Sequence, residues 1–179
     1  MATFRLPGDP DPDPRQYLEV GWEFFGELCR GLAMRAAREF DPDLVVGIAR
    51  TGVIPAGVVA SVLRSELYTM TITRHESEGA HRERPRIFSE APTRAAGRSV
   101  LIVDEVTSSG DTLRMAIAAL RDVGAAEIST ATCFKRTNGY EPDLYALETD
   151  DTLIFPWDRK IVIDDDLAVN PLYEGVVEE

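Results

Sequence analysis

The sequence predicts an α/β fold in which a parallel sheet is flanked by helices. Apolar runs at 44–49 and 99–105 suit short strands that are buried on both faces of a sheet. Segments with apolar residues at three- and four-residue steps lie between such runs, as helices connecting parallel strands do. The alternation of these two patterns along the chain therefore points to a parallel sheet with helical crossovers.

The elements follow one another in a regular order. Residues 17–40 have helical periodicity, and the strand at 44–49 leads into a helix at roughly 54–64. An alternating, β-rich segment covers 66–74. Residues 75–95 are polar and lack a clear period, so we expect a long loop that is functional or mobile. The other predicted elements are a strand at 99–105, a helix at 111–125, a strand at 127–136 and a short strand at 152–158.

The length of 179 residues indicates a single domain, residues 1–179, with a sizeable core. We expect a loose proline-rich and acidic leader at 1–14, an N-terminal helix at 15–40, a core at 41–160 and a C-terminal tail at 161–179. The acidic run Asp164–Asp166 favours a solvated tail.

Charge and composition exclude several classes of protein. A net charge of -12 argues against nucleic-acid and anionic-membrane partners, because both require a basic face. No apolar run approaches the eighteen or so residues of a membrane span, and no signal peptide is evident, so we expect a cytoplasmic protein. Cys29 and Cys133 are the only cysteines, and with two histidines they favour neither a disulfide framework nor a zinc cluster.

The segment SVLIVDEVTSSGDTL, residues 99–113, carries the main functional signal. Asp104 and Glu105 come at the end of a buried strand, where ligands bind in open α/β sheets. A loop of small residues then leads into a helix N-terminus, which suits phosphate. The two carboxylates suit sugar hydroxyls or Mg²⁺, so the pattern favours a phosphorylated sugar. The alternative is an acidic surface turn in which Asp111 or Ser109 caps the helix.

VLIVDEVTSSGDT resembles the PRPP-binding signature of type I phosphoribosyltransferases, and the resemblance covers roughly residues 40–160. It implies that sheet and helices are completed by a flexible loop and a small hood. It also implies that Asp104 and Glu105 contact the ribose hydroxyls, act in catalysis and bind metal. The 5′-phosphate would be held by Thr107, Ser108, Ser109, Gly110, Asp111 and Thr112.

GIARTGVIPAG, residues 47–57, resembles the pyrophosphate loop of the same family. The loop residues would be Ala49, Arg50, Thr51 and Gly52, with a cis peptide expected at Arg50–Thr51. An ordinary strand-to-helix turn is the alternative. The 75–95 segment matches the position of the flexible loop that closes over PRPP, where Arg82, Arg84 and Arg86 would screen pyrophosphate. The alternative for these arginines is a solvated charged loop.

The acceptor base is indicated by two further segments. Lys135, one of only two lysines, resembles the lysine that contacts the exocyclic oxygen in 6-oxopurine enzymes, although a surface lysine is the alternative. TLIFPWD, residues 152–158, resembles the purine-pocket segment of xanthine-guanine enzymes. By that register the main chain of Leu153 reads the base edge and Asp158 lies near metal or pyrophosphate, while Trp157 has core packing as its alternative.

Two positions depart from the purine pattern. Ser108 stands where purine enzymes usually have an aspartate, and Thr152 stands where a stacking aromatic is frequent. The resemblance implies an Mg²⁺-dependent enzyme of nucleotide salvage that transfers phosphoribosyl from PRPP to a nucleobase, with a 6-oxopurine as the leading acceptor. A non-catalytic PRPP or nucleotide sensor and an orotate or other pyrimidine enzyme remain alternatives. A homo-oligomer is compatible with the family, although no residue indicates an interface.

Overall fold

The computed structural model describes residues 17–75 and 81–177. These residues form two compact units, one made of 17–25 together with 150–177 and the other of 26–149. The leader predicted at 1–14 lies outside the described residues, and the single domain expected over 1–179 stays a prediction. Among the described helices, none is both long enough and apolar enough to cross a membrane.

The larger unit contains a six-stranded sheet with strand order β4-β3-β2-β5-β6-β7. The neighbouring pairs from β3 to β7 are parallel, whereas β4 is an antiparallel edge strand. This confirms the predicted α/β class with a mostly parallel sheet. The strands are β2 (Leu44–Ala49), β3 (Glu66–His75), β4 (His81–Ile87), β5 (Ser99–Thr107), β6 (Glu127–Lys135) and β7 (Leu144–Glu148).

Three helices accompany this sheet: α1 (Trp22–Glu39), α2 (Val53–Leu63) and α3 (Asp111–Asp122). The inward face of α3, with Leu113, Ala116 and Leu120, joins a core cluster that includes side chains of β2, β3 and β5. Helix α2 packs very closely on β2, since a Cβ at Gly47 would lie 2.7 Å from the Cβ of Ala56. The apolar residues that recur at three- and four-residue steps in α3 therefore form the face of the helix that is buried against the sheet.

The smaller unit contains two short pairs of strands. Strand β1 (Tyr17–Glu19) pairs in parallel with β8 (Thr152–Ile154), and β9 (Lys160–Ile163) pairs antiparallel with β10 (Asp166–Val169). A cluster of four aromatic rings packs beside them, in which the Phe155 and Trp157 rings stack at 4.7 Å between centroids. The other two members are Trp22 and Phe25. Trp157 thus packs against the other three rings of this cluster and is partly buried.

Several element boundaries differ from the predictions. The first helix begins at Trp22 and not at 17, because Tyr17–Glu19 form a strand that β8 completes. Residues 81–87, predicted as loop, form β4. Their charged sequence has no strand pattern, and the strand is specified by pairing with β3. Pro85 is tolerated there because β4 is an edge strand. Residues 76–80 and the side chains of Arg82 and Arg84 lie outside the description, and Arg86 is exposed.

Further differences lie in the second half of the chain. Strand β8 ends at Ile154, two residues before Pro156, and does not extend to 158 as predicted. Strand β7 was not predicted, nor was the hairpin of β9 and β10. Asp164 and Asp165 form its turn with positive φ angles of 49° and 67°, so the acidic run lies exposed in a turn of defined conformation. Short acidic side chains adopt this left-handed conformation more readily than most residues.

Candidate carboxylate and phosphate site

The candidate site lies in the larger unit, at the carboxyl ends of β2, β5 and β6. Thr107 at the end of β5 pairs in register with Lys135 at the end of β6. The loop after β2 holds the predicted pyrophosphate residues, and the loop after β5 holds the predicted phosphate residues. Because the strands are parallel, their ends lie along one edge of the sheet, as ligand sites in this architecture require.

The two adjacent carboxylates have different surroundings. Asp104 is buried, and its Oδ1 accepts a hydrogen bond from the Glu105 backbone N–H at 3.0 Å. Burial, followed by the negative charge of Glu105, raises the pKa of Asp104 well above its usual value. Glu105 Oε1 accepts a hydrogen bond from Thr51 Oγ1 at 2.6 Å, whereas its Oε2 is buried without a partner among the described residues. One carboxylate oxygen therefore remains for a ligand.

This donor set fits the predicted Mg²⁺ ion. Magnesium is usually held by one or two carboxylates together with oxygens of a substrate phosphate. Asp104 offers a desolvated carboxylate, and Glu105 offers the unpartnered Oε2 beside it. Among the described residues, no larger group of His, Cys, Asp and Glu is arranged to hold a metal. The same two carboxylates could also accept hydrogen bonds from sugar hydroxyls.

The loop after β2 packs directly against the carboxylate pair. A Cβ added at Gly52 would lie 2.5 Å from Asp104 Oδ1 and 2.6 Å from the carbonyl oxygen of Ile48. Only glycine permits this approach, so the loop and the carboxylates form one packed unit. A non-proline cis peptide is present at Ala49–Arg50. The expected position, Arg50–Thr51, was wrong by one residue.

The loop after β5 turns sharply at Gly110, whose φ is +76°, and α3 begins at the next residue without a side-chain cap. Backbone amides of the first helical turn therefore point toward the mouth of the loop, where an anion is stabilised. The Tyr140 ring covers Gly110 so closely that a Cβ there would lie 2.3 Å from the ring. Tyr140 also donates its backbone N–H to the carbonyl oxygen of Ser108 at 2.6 Å.

Two polar side chains brace the same turn from the helix. Ser109 Oγ donates to Asp111 Oδ2 at 3.0 Å, and it accepts a hydrogen bond from the Asp111 backbone N–H at 3.4 Å, which is a contact of the capping kind named as the alternative for Ser109. Arg114 Nη1 donates to the carbonyl oxygen of Ser109 at 2.6 Å, and its guanidinium lies 4.9 Å from the centroid of the Tyr140 ring. The turn is thus held in shape before any ligand arrives.

Lys135 is buried at the end of β6, with 7% of its side chain exposed. Its Nζ donates to Glu141 Oε2 and forms an ion pair with Glu148 Oε2 at 2.8 Å. The ammonium also lies 4.7 Å from the centroid of the Tyr145 ring. Hydrogen bonds to Glu141 and to Glu148 raise the pKa of Lys135 above its usual value. It is therefore a buried cation between two carboxylates and not a free surface lysine.

A family model described as phosphoribosyl transferase domain matches residues 22–163. The chain belongs to this phosphoribosyltransferase family. A purine phosphoribosyltransferase from Pyrococcus horikoshii has a similar structure, with a TM-score of 0.71 and 27% identity over 83% of this chain and 99% of that chain. A xanthine-guanine-hypoxanthine phosphoribosyltransferase from Helicobacter pylori shares the fold, with a TM-score of 0.69 and 19% identity over 79% of this chain and 93% of that one.

Curated relatives of this phosphoribosyltransferase-family protein include regulators. The transcriptional regulator GfcR of Halobacterium salinarum is 32% identical over 130 residues, which are 68% of this chain and 61% of the relative. GfcR of Methanococcoides burtonii is 33% identical over 139 residues, or 71% of this chain and 67% of that protein. The chain spans less than two thirds of the length of the Halobacterium regulator, so the similarity concerns part of that protein.

The remaining predicted residues of this family member lie in the smaller unit. Leu153 is buried in the middle of β8, in register with Leu18 of β1. The carboxylate of Asp158 accepts a hydrogen bond from the Tyr173 hydroxyl at 2.7 Å and one from Asn170 Nδ2 at 3.3 Å. Asp158 therefore joins the segment after β8 to the C-terminal turn. The base-reading role of Leu153 and the metal role of Asp158 stay predictions.

Sequence reasoning missed the side chains that support the site. The Thr51–Glu105 hydrogen bond joins residues 54 positions apart, and no local pattern reveals it. Tyr140 carries no local signal in the sequence, and in the structure its ring lies over Gly110. Glu141 and Glu148 surround Lys135 from a loop and from the end of β7, a strand that was not predicted. The only local signal for these contacts is the small residues of the turn at Gly110, which are compatible with close packing of another side chain on the turn.

We expect Gly110→Ala to destabilise the protein more than Gly124→Ala. Both glycines have a positive φ, +76° and +88°, but nothing lies near a Cβ at Gly124, whereas the Tyr140 ring overlaps one at Gly110. Both variants carry the backbone strain of a positive φ. The difference between their losses in free energy of unfolding, about 1–3 kcal/mol, therefore reports the overlap of the new Cβ with the Tyr140 ring. Denaturant titration measures both values. Equal losses would mean that Tyr140 does not cover the turn in solution.

We expect Asp104→Asn to stabilise the ligand-free protein at neutral pH. Because the native pKa of Asp104 is raised, the folded state binds this proton more tightly than the unfolded chain does. Stability contributed by the protonated acid is present below the unfolded value of about 3.9 and is lost as pH rises through the raised native value. Asparagine keeps the acceptor for the Glu105 N–H, so it should raise the free energy of unfolding at pH 7 by roughly 1–3 kcal/mol. The gain should shrink toward pH 4 in thermal unfolding scans, and a constant gain would contradict this account.

Proposed function

We infer that this protein transfers the 5-phosphoribosyl group from PRPP to a nitrogen of a nucleobase and releases pyrophosphate, with a 6-oxopurine as the leading acceptor. The observation that carries this proposal is the pair of buried Asp104 and partly buried Glu105, with its unpartnered Oε2, placed just before the turn at Gly110 that begins α3. Carboxylates that can accept from ribose hydroxyls, next to a helix N-terminus that can bind a phosphate, suit a phosphorylated ribose. The structural similarity to the Pyrococcus purine enzyme supports the acceptor class.

In the proposed reaction a base nitrogen forms a bond to C1′ as the bond from C1′ to pyrophosphate oxygen breaks. The base then loses a proton, and pyrophosphate leaves with the bonding electrons. Asp104 and Glu105 would orient the ribose, the turn from Thr107 to Thr112 would bind the 5′-phosphate, and the loop from Ala49 to Gly52 would bind pyrophosphate. Bound Mg²⁺ would neutralise charge on the departing pyrophosphate. Positioning and charge stabilisation then supply most of the rate acceleration.

A regulatory protein that binds PRPP or a nucleotide without turnover is the second candidate. The GfcR relatives are named as transcriptional regulators, which favours it. Ser108 also supports it, because a serine cannot replace an aspartate as a general acid–base group, a function worth about 10²–10⁴ in rate. A pyrimidine acceptor is also compatible with a hydroxyl at position 108.

Pyrophosphate release separates these candidates. Purified protein should be incubated with PRPP and Mg²⁺ against hypoxanthine, guanine, xanthine, adenine, uracil and orotate. Release with a 6-oxopurine supports the transferase, and release with orotate alone keeps the transferase but replaces the acceptor. Protection of the fold by PRPP against heating, without release for any base, would contradict the transferase and support the regulator.

We expect Thr51→Val to weaken PRPP binding about tenfold, because a hydrogen bond to a charged group contributes roughly 1.5–3 kcal/mol. Without the 2.6 Å bond from Thr51 Oγ1, Glu105 loses the contact that fixes its carboxylate with Oε2 unpartnered. Thr51→Ser retains the hydroxyl and is the matched control. Calorimetric titration with PRPP measures both variants. Equal weakening by valine, which keeps the methyl group, and by serine, which keeps the hydroxyl, would contradict a specific role for the Thr51 hydrogen bond.

A further inference from the structure

The cluster around Lys135 carries more negative than positive charge. Two carboxylates, from Glu141 and Glu148, contact one ammonium, so these three side chains sum to one negative charge. The adjacent strand β5 adds Asp104 and Glu105 at the same edge of the sheet. Arg136, the next residue, donates through Nη1 to the carbonyl oxygen of Thr149 at 3.0 Å. The surroundings of Lys135 are therefore acidic, although the residue itself is a cation.

The exposure of the three side chains is also unequal. The side chain of Lys135 is 7% exposed, whereas those of Glu141 and Glu148 are 63% and 38% exposed. Two contacts of the ammonium go to carboxylates, and the Tyr145 ring lies on another side. A ligand that approaches from solvent thus meets carboxylate oxygens before it meets the ammonium. Carboxylates accept hydrogen bonds and donate none when ionised.

We propose that Glu141 and Glu148 make the base position selective for neutral bases that present N–H donors, and that they exclude bases carrying negative charge. An amino-oxopurine such as guanine offers ring and amino N–H groups to the carboxylates and a carbonyl oxygen to Lys135. Orotate, and xanthine once it has lost a proton, bring a negative charge against the glutamates, and like charges in such a place oppose binding. This inference rests on the proposed function in one respect, the placement of the base beside Lys135.

Nucleotide binding tests the inference without requiring turnover. Guanosine and xanthosine monophosphates form one pair, whose bases differ in that guanine carries an amino group where xanthine carries an oxo group. Uridine and orotidine monophosphates form a second pair, which differs by one carboxylate. We expect calorimetric titration at pH 7.5 and low salt to give about tenfold tighter binding of the neutral member in each pair. High salt should shrink both ratios, because partly exposed charges are screened.

The double variant Glu141→Gln/Glu148→Gln should bring both ratios close to one, because Lys135 is then an uncompensated cation that attracts the anionic base. Glu127→Gln is the control for loss of a glutamate charge away from the base position, since Glu127 is exposed at the start of β6 and Lys135 is at its end. It removes one of the two negative charges that the double variant removes, and it should leave both ratios unchanged. The cation itself is tested by Lys135→Met, which should weaken the two neutral nucleotides as well. Circular dichroism of each variant verifies folding.

Failure of the inference and failure of the proposed function give different results. Equal binding of neutral and anionic nucleotides by the native protein, no binding of any of the four, or unchanged ratios in the double variant would each overturn the inference. Selective binding without pyrophosphate release for any base would leave the inference standing and overturn the transferase. Pyrophosphate release with orotate as readily as with guanine would leave the transferase standing and overturn the inference.

Discussion

Asp104→Asn combined with Glu105→Gln should reduce pyrophosphate release from PRPP at least about 10³-fold while the protein remains folded. The two substitutions keep the size of both side chains and remove both charges. Asparagine and glutamine retain carbonyl acceptors, so the Glu105 N–H and Thr51 hydroxyl bonds can persist. What disappears is the negative charge to which the proposed mechanism assigns the binding of Mg²⁺ and the orientation of ribose hydroxyls. Steady-state assays with the best acceptor measure the effect.

The chain offers a matched control for this experiment. Asp164 and Asp165 are also adjacent acids, but they are exposed in the β9–β10 turn, and asparagine tolerates their positive φ angles. Asp164→Asn with Asp165→Asn changes the net charge equally and should leave turnover unchanged. Native turnover in the Asp104/Glu105 variant would refute the catalytic assignment, and an equal loss in the control would attribute the effect to net charge.

Gly52→Ala should destabilise the protein and disrupt the candidate site through steric overlap alone. The backbone of Gly52, with φ −63° and ψ −14°, is open to alanine, so the whole effect comes from the Cβ. That atom would lie 2.5 Å from Asp104 Oδ1 and 2.6 Å from the Ile48 carbonyl oxygen, and both are held by surrounding structure. We expect a loss of about 1–3 kcal/mol in free energy of unfolding, together with loss of PRPP-induced thermal stabilisation.

Gly57→Ala is the control for that substitution. Gly57 lies in the interior of α2, the helix that begins directly after Gly52, and no atom lies within 4 Å of an added Cβ there. Alanine should therefore raise stability there by up to about 1 kcal/mol, because glycine is a poor helix former. Thermal unfolding with and without PRPP measures both variants. If Gly52→Ala retains native stability and ligand response, the loop after β2 does not pack on Asp104 in solution.

The parts of the fold that could be predicted are those with a strong local pattern. The strand at 44–49 and the start of the helix at Asp111 match the structure, because each has a buried apolar run or a glycine turn at its boundary. The carboxylate pair could be found because Asp104 and Glu105 interrupt such a run at its end. Strand β4 could not be found, since a charged edge strand has no pattern until β3 pairs with it.

The parts of the site that could not be predicted depend on long-range contacts. Thr51 and Glu105 meet only because β2 and β5 are neighbours in the sheet. Tyr140 follows β6 in the sequence whereas Gly110 precedes it, so their contact also depends on the assembled sheet. Lys135 could be identified by its rarity and its place at a strand end. Its two glutamate partners could not be identified, because Glu148 belongs to β7, a strand that the sequence pattern does not predict.

The parallel arrangement of β2, β5 and β6 has a consequence for how the protein is made. Leu44 pairs with Val100, and Ser99 pairs with Glu127, so the strand pairings that bring the loops of the site together join distant parts of the chain. Closing such large loops is slow, and it must precede the contacts that stabilise them. During synthesis the carboxylates emerge before β6 exists. A chain that is still growing therefore lacks the complete candidate site, and PRPP, the proposed ligand, should stabilise only molecules that have completed the sheet.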